Sequence, residues 1–361
     1  MQSSPWNMEL SQRRYNRSWW WWFWIFFIEN KEYPPHPKQL AVIWSTKDCD
    51  RFKINDILWI KEKGVRKIGN RIEFNGVIGA WFYDGKRMIE PVILDKRDFI
   101  IENRGGNGLF ISRDNDDYVL SGNPNRYNVR LKKKGFEVDF ELTKTDDILS
   151  EDDHTRNNFT KSYGYEILKI RRTNLRGRIR AGLEDSEVKG TGYFQKVMIN
   201  APLILPWYWG TVHMNDGSYL QYYMLHLGPP MFRRKISQNS FLDFGERYIS
   251  KSINFYSKDE NRFYKFKDVK ISKQFNKAGL PVFMLKGKDR WHEISITLNS
   301  YSRACWYFEQ PMLRFIKTLM YYNEYPVTMS RFSLKGRGKR ITEKELGGGV
   351  GNSEHAWGCL R

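Results

Sequence analysis

The residues with the clearest chemical potential lie between positions 190 and 228, in GTGYFQKVMINAPLILPWYWGTVHMNDGSYLQYYMLHLG. Period-two alternation puts Trp207, Trp209, Thr211 and His213 on one face of a strand. Two indoles and an imidazole on one face line either an apolar core or an apolar ligand cavity, and the residues alone leave both open. Asn215-Asp216-Gly217 then separates this run from a second aromatic one, residues 218–227, which is a hairpin signal. Residues 193–199 read as a preceding strand, ended by Asn200-Ala201-Pro202.

Other groups with chemical types read more plainly. Glu151-Asp152-Asp153-His154 has metal-ligating residue types, but consecutive side chains diverge, so a solvated loop is expected. Gly105-Gly106-Asn107-Gly108 lacks a following Gly-Lys-Ser/Thr and reads as a hairpin turn rather than a phosphate loop. There is no Gly-x-Ser-x-Gly elbow, His-Glu-x-x-His, Walker loop or dinucleotide fingerprint, which argues against a hydrolase, a P-loop enzyme or a nicotinamide-dependent dehydrogenase. No cofactor and no metal are expected. Cys49, Cys305 and Cys359 are far apart, give neither a disulfide framework nor metal spacing, and fit a reducing, cytoplasmic setting.

The elements that must carry these residues are strands. Aromatics make up 16% of the 361 residues, while mean hydropathy is −0.65. A chain both aromatic and polar suits alternating, half-buried strands. Short strands separated by turns every 8–12 residues or so read as a sandwich or barrel. Residues 19–28, WWWWFWIFFI, are too short to span a bilayer, which needs about 20 apolar residues; they read as a buried strand, with a membrane-surface anchor as the other reading. A second Asp-Gly turn, Asp84-Gly85, follows Trp81-Phe82-Tyr83. Leu313, Ile316, Lys317 and Met320 have helical spacing and suggest a short helix over 312–322. The expected order is a flexible lead over 1–17, one β-domain over 18–180, a second over 181–346, and a flexible glycine-rich tail over 347–361. The net charge of +19 is spread over both halves; it reads as a basic surface and keeps single-stranded nucleic acid in view as a partner.

Trp-x-Trp-Gly, a short strand, Asp-Gly and an aromatic strand, preceded by Gly-x-Gly-Tyr, resemble the tandem lipocalin-like proteins: carotenoid 1,2-hydratases (hydroxyneurosporene synthases) and related Diels–Alderase-type cyclases. The matching residues are Gly190, Gly192, Tyr193, Trp207, Trp209, Gly210, Asp216 and Gly217. Ser18-Trp19-Trp20-Trp21-Trp22 is similar to the family's opening strand, and Lys335-Gly336-Arg337-Gly338 with residues 343–347 to its closing strand. The resemblance implies an all-β fold of two lipocalin-like antiparallel barrels in tandem and a cavity for an apolar molecule. It implies Tyr193, Trp207, Trp209 and Tyr222 as ligand-binding residues. In the hydratases an acid and a histidine follow the Gly-Tyr, with a tryptophan two beyond; here those positions hold Gln195, Lys196 and Met198. Hydrating an isolated double bond needs a strong general acid and then a base for the water. Gln195 has no proton to give, which leaves Lys196, His213, Tyr223 and His226 as candidate catalytic groups of a rebuilt site.

The expected function is binding of an apolar terpenoid, lipid or polyene, with any activity a cofactor-independent hydration, isomerisation or cyclisation. A basic β-protein on single-stranded nucleic acid, and a membrane-surface protein, are the alternatives.

Overall fold

The computed structural model describes residues 18–30, 36–47, 49–60, 65–104, 107–112, 117–145, 154–158, 163–201, 205–227, 247–313 and 316–360. The expected lead over 1–17, Glu151 to Asp153, and Gly105 with Gly106 lie outside them. The first strands are β1 (Ser18–Ile28), β2 (Lys38–Lys47), β3 (Arg51–Ile54), β4 (Ile57–Ile60), β5 (Arg66–Ile68), β6 (Arg71–Tyr83), β7 (Met88–Arg104), β8 (Asn107–Ser112), β9 (Tyr118–Asn123), β10 (Arg126–Lys133), β11 (Phe136–Lys144), β12 (His154–Asn158), β13 (Gly164–Ala181) and β14 (Glu184–Asn200). Then follow β15 (Trp207–Met214), β16 (Tyr219–Leu227), β17 (Arg247–Ser257), β18 (Arg262–Phe266), β19 (Asp268–Phe275), β20 (Pro281–Lys288), β21 (His292–Ser300), β22 (Ala304–Leu313), β23 (Ile316–Gly336), β24 (Lys339–Thr342), the single-turn helix α1 (Glu343–Leu346) and β25 (Gly349–Leu360).

The chain is all-β, as the alternation predicts, and forms two antiparallel barrels in tandem. In the first, the order β11-β10-β9-β8-β7-β6-β2-β1-β14-β13 closes on itself through pairing of β11 with β13. In the second, β17-β16-β15-β25-β23-β21-β20-β19 curls until β17 lies against β19. The hairpin β3–β4 leaves the first barrel and adds to the second sheet by pairing with β22.

Four sequence expectations shift. Pairing places β14 in the first sheet, against β1 and β13, so the two sheets meet between Asn200 and Trp207 rather than near residue 180. Gly182, with φ 63°, makes the tight turn that lets β13 run on into β14. The described residues of 312–322 are strand, not helix: 312–313 end β22 and 316–322 begin β23. The stretch expected as a flexible tail is β25, held between β15 and β23 with Trp357 buried. Residues 335–347 form no single closing strand; they make the end of β23, the turn into β24, β24 itself and α1.

Strand β1 shows how the barrels meet. Trp20, Trp22, Trp24, Phe26 and Ile28 point into the first barrel, which is filled by them together with Trp44, Phe74, Phe99 and Phe110. Trp19, Phe23, Ile25 and Phe27 point out, into a separate aromatic cluster with Trp209, Trp306, Phe308 and Tyr322 of the second barrel. One strand therefore serves two cores, which is why its ten-residue run has no polar face. A membrane anchor would need residues 19–28 free to leave the protein, and they are instead a central strand. Gly79 lets the seam close: a Cβ there would overlap the Trp306 ring.

Candidate functional site

The seam between the barrels holds an unusual pair of carboxylates. On β25 Asn352, Glu354 and Ala356 face the first barrel, and on β23 Met320, Tyr322 and Glu324 do the same. Antiparallel register sets Glu324 directly across from Glu354, and Trp209 of β15 lies on the other side of Glu354. Both glutamates are buried, 0% and 2% exposed. Glu354 accepts from the Tyr322 hydroxyl at 2.8 Å and from the Trp207 indole N–H. Glu324 accepts from the Asn352 amide, and Asn352 Oδ1 accepts in turn from Gln39 Nε2 of the first barrel at 2.8 Å. The walls are aromatic. Trp209 lies 5.2 Å from Tyr193 and 6.3 Å from Phe23, while Trp81 lies 5.3 Å from Trp306 and 6.4 Å from Tyr322. Trp21 and Trp207, only partly buried, mark where the seam approaches solvent.

Burial governs the electrostatics. Desolvation disfavours the charged form of each carboxyl, and the opposing carboxylate adds to this at Glu324. Glu324 is held well above the ordinary carboxylate range. Glu354, favoured as an anion by its two donors, is raised to about 7. Near neutral pH the pair retains a proton, and Glu324 is the group that keeps it. This is the arrangement in which two like carboxyls divide the roles of acid and base.

The residues singled out from sequence fall in three places. Tyr193, Trp207 and Trp209 meet in the seam, and Tyr223 shares the Trp209 face on the neighbouring strand, 38% exposed at the rim. His213 also lies on the seam, further along. Its Nε2 is 2.9 Å from the Arg171 carbonyl oxygen, which can only accept, so Nε2 carries the proton and Nδ1 accepts from Thr191 Oγ1 at 2.7 Å. Both nitrogens are occupied, and burial together with the nearby Arg172 charge holds the ring well below its ordinary pKa. His213 joins the barrels as a neutral imidazole. Tyr222 and His226 point the other way, into the second barrel. There His226 and His355 stack on Tyr208, at 5.1 and 4.0 Å, and Lys273 donates to the Tyr208 hydroxyl. Lys196 is buried on the interior face of the first barrel, between Trp22 and Leu168. The structure therefore does not bring Lys196, His213 and His226 together.

Grooves of about 800 and 910 Å³ lie outside the first barrel and are lined largely by charged and polar side chains such as Arg176, Asp139 and Arg180. They show no apolar lining comparable to the seam. Most of the large aromatics that suggested base stacking are interior; among the described residues Trp291, at 49%, is the only exposed tryptophan. His154 opens β12 and pairs with Glu166 at 3.1 Å.

No protein-family model matches the chain, and no curated protein gives a significant sequence match. Solved structures do. A candidate AttH of Nitrosomonas europaea superposes with a TM-score of 0.55 at 12% identity, covering 96% of each chain. CghA, solved with Sch210972, gives 0.55 at 8% identity over 94% of this chain and 88% of its own. The fold is the tandem lipocalin-like one. At such identities the likeness extends to architecture alone, and the lipocalin-like frame leaves the chemistry to this chain's own residues.

Proposed function

We propose that this lipocalin-like protein binds an apolar small molecule, a terpenoid, lipid or polyene, in the seam between its barrels, and that the Glu324–Glu354 pair acts on it as acid and base without a cofactor. The observation that carries this is the paired, fully buried carboxyls walled by indoles. An apolar wall with a few convergent polar groups is the usual make-up of a small-molecule site, and a carboxyl that keeps its proton near neutrality can serve as a general acid.

The steps balance. The Glu324 carboxyl transfers its proton to one carbon of a double bond, leaving a carbocation on the other. The faces of Trp207 and Trp209 are placed to stabilise positive charge. For hydration, water attacks the cation and its surplus proton passes to the Glu354 carboxylate; exchange between the adjacent carboxyls restores the start. For isomerisation, loss of a neighbouring proton to the Glu354 carboxylate replaces the water; for cyclisation, a second double bond attacks the cation and the new cation so formed loses a proton to the same carboxylate. The resemblance to hydratases and cyclases supports this class of reaction. Three residues that sequence placed at the site, Tyr193, Trp207 and Trp209, belong to it in this reading; Tyr222, Lys196 and His226 do not.

The test is native mass spectrometry of protein purified from its own host, followed by incubation of the co-purifying compound with wild type and with Glu324→Gln. The expected result is an apolar ligand converted to a hydrated or isomeric product by wild type and left unchanged by the variant. Absence of any co-purifying organic compound, together with no change in an organic extract of the host, would sink the proposal.

A further inference from the structure

Among the described residues the Glu324–Glu354 pair has no cation: no Lys, Arg or His forms an ion pair with either carboxyl. The titratable groups on the face of the pair are Tyr322 and Tyr223, with Tyr222 and Tyr325 behind it in the second barrel; all four are pushed above their ordinary value chiefly by burial, and hence neutral near pH 7. Buried charges in folded proteins are ordinarily paired. Two acceptor atoms of the same hydrogen-bonded chain, Glu324 Oε1 and Gln39 Oε1, on residues that are both 0% exposed, receive no donor from another side chain or backbone group among the described residues beyond the proton the two carboxyls share. Around them stand Trp207, Trp209, Trp81 and Tyr322, whose ring faces attract cations, most strongly where water is excluded.

We propose that the ligand of the seam carries a basic nitrogen: an alkyl- or arylammonium group that sits at Glu324 and Glu354 with its hydrocarbon part along the tryptophans. This rests on reading the seam as the binding site and adds the class of ligand. Without ligand, a proton stands in the cation's place. With it, Glu354 is the counter-ion, and Glu324 keeps its proton for chemistry. Gln39 and Asn352 come from different barrels, so an ammonium held there also bridges the two domains. A neutral polyene would leave the buried negative charge uncompensated, and an acidic ligand would add to it.

Geranylamine and geraniol share one hydrocarbon skeleton and differ at the terminal group, so isothermal titration of both probes separates the two readings. A primary alkylammonium has a pKa of about 10 and stays charged at about pH 8 and at about pH 5.5 alike, so any change in preference between them belongs to the protein. The expected result is a preference for the amine on the order of tenfold or more at the higher pH, shrinking at the lower one as the pair takes up its second proton. The same preference should fall to near unity in Glu354→Gln. Equal affinities for the two probes at about pH 8 would overturn the amine proposal and leave the apolar site standing. A preference that does not change with pH would also overturn it, and this arm needs no variant. Binding of neither probe would overturn both readings of the seam.

Discussion

Glu354→Gln tests the electrostatics of the seam without any knowledge of the ligand. In the folded protein Glu354 is raised from 4.5 to about 7, chiefly by desolvation. A group bound more tightly to its proton when folded contributes stability that is fully present below the unfolded value and is lost as pH rises through the folded one. The window therefore runs from 4.5 up to about 7. Its size is about 3 kcal/mol at 1.36 kcal/mol per pH unit, an upper figure because water can enter the seam as the charge develops. For a domain of this size that corresponds to a melting temperature lower by about 6–12 °C at about pH 8 than at about pH 5, before other groups are counted. His213 and His355, both held well below their ordinary range by burial, act in the opposite direction, because the unfolded chain protonates first as pH falls. The informative quantity is thus the difference between wild type and Glu354→Gln. Glutamine keeps the shape and one acceptor oxygen but cannot ionise, so the variant should gain stability relative to wild type as pH rises, by about 2–3 kcal/mol across the window. Urea unfolding at a series of pH values measures this directly. Parallel curves for the two proteins would refute the claim that Glu354 is buried with a raised pKa.

Other perturbations follow from the same contacts. His213→Ala removes both ring contacts of the link to Thr191 and Arg171 and should cost about 1–3 kcal/mol, read as a lower urea midpoint with an earlier, separate transition for one barrel; a single unshifted transition would count against the link. Gly79→Ala places a methyl group in the Trp306 ring and should destabilise by about 1–3 kcal/mol with a red shift in tryptophan emission, while wild-type emission and midpoint would show that the seam is looser than described. Gly210→Ala meets the Tyr222 ring and the Asn352 carbonyl oxygen, at 2.8 Å, so it should disturb the seam and the second barrel together; loss of native near-ultraviolet circular dichroism is the readout. Deleting residues 349–360 should leave the second sheet without a central strand and give insoluble protein, whereas a soluble, cooperatively melting product would return that stretch to the status of a tail.

Much of the strand content was legible because alternation and Asp-Gly turns are local signals. Gly85 and Gly217 do take the left-handed turn conformation, with φ of 104° and 100°, and residues 19–28 were legible as a strand from their lack of a polar face. The last strand was not legible. Gly349 and Gly351 look like linker composition, but each faces Val212 across β15, and a Cβ on Gly351 would strike the Thr211 carbonyl oxygen. There glycine reflects close packing rather than freedom. The carboxylate pair was missed for a related reason. Glu324 sits in MYYNEYPVTM and Glu354 in NSEHAW, some thirty positions apart, and only the β23–β25 register joins them. A lone acid inside an aromatic strand run was the available signal. Trp207 and Trp209 were found because they adjoin a strong hairpin, whereas the partners that give them chemical meaning arrive from the other side of the sheet.

The position of β25 has a consequence for how the protein is made. Synthesis delivers β15, β16 and the strands to β24 before the strand that must lie between β15 and β23. Until residues 349–360 emerge, the second sheet is in two pieces, and the outward row Trp19, Phe23, Ile25 and Phe27 on a first barrel already complete through Asn200 is met only by strands that are not yet joined to one another. A ribosome-bound nascent chain of about 340 residues would therefore hold its stripe of indole and phenyl rings under an incomplete cover until residues 349–360 are made, at roughly 5–20 residues per second. Slow codons just ahead of those for residues 349–360 should raise the demand for chaperones more than slow codons anywhere in the first barrel.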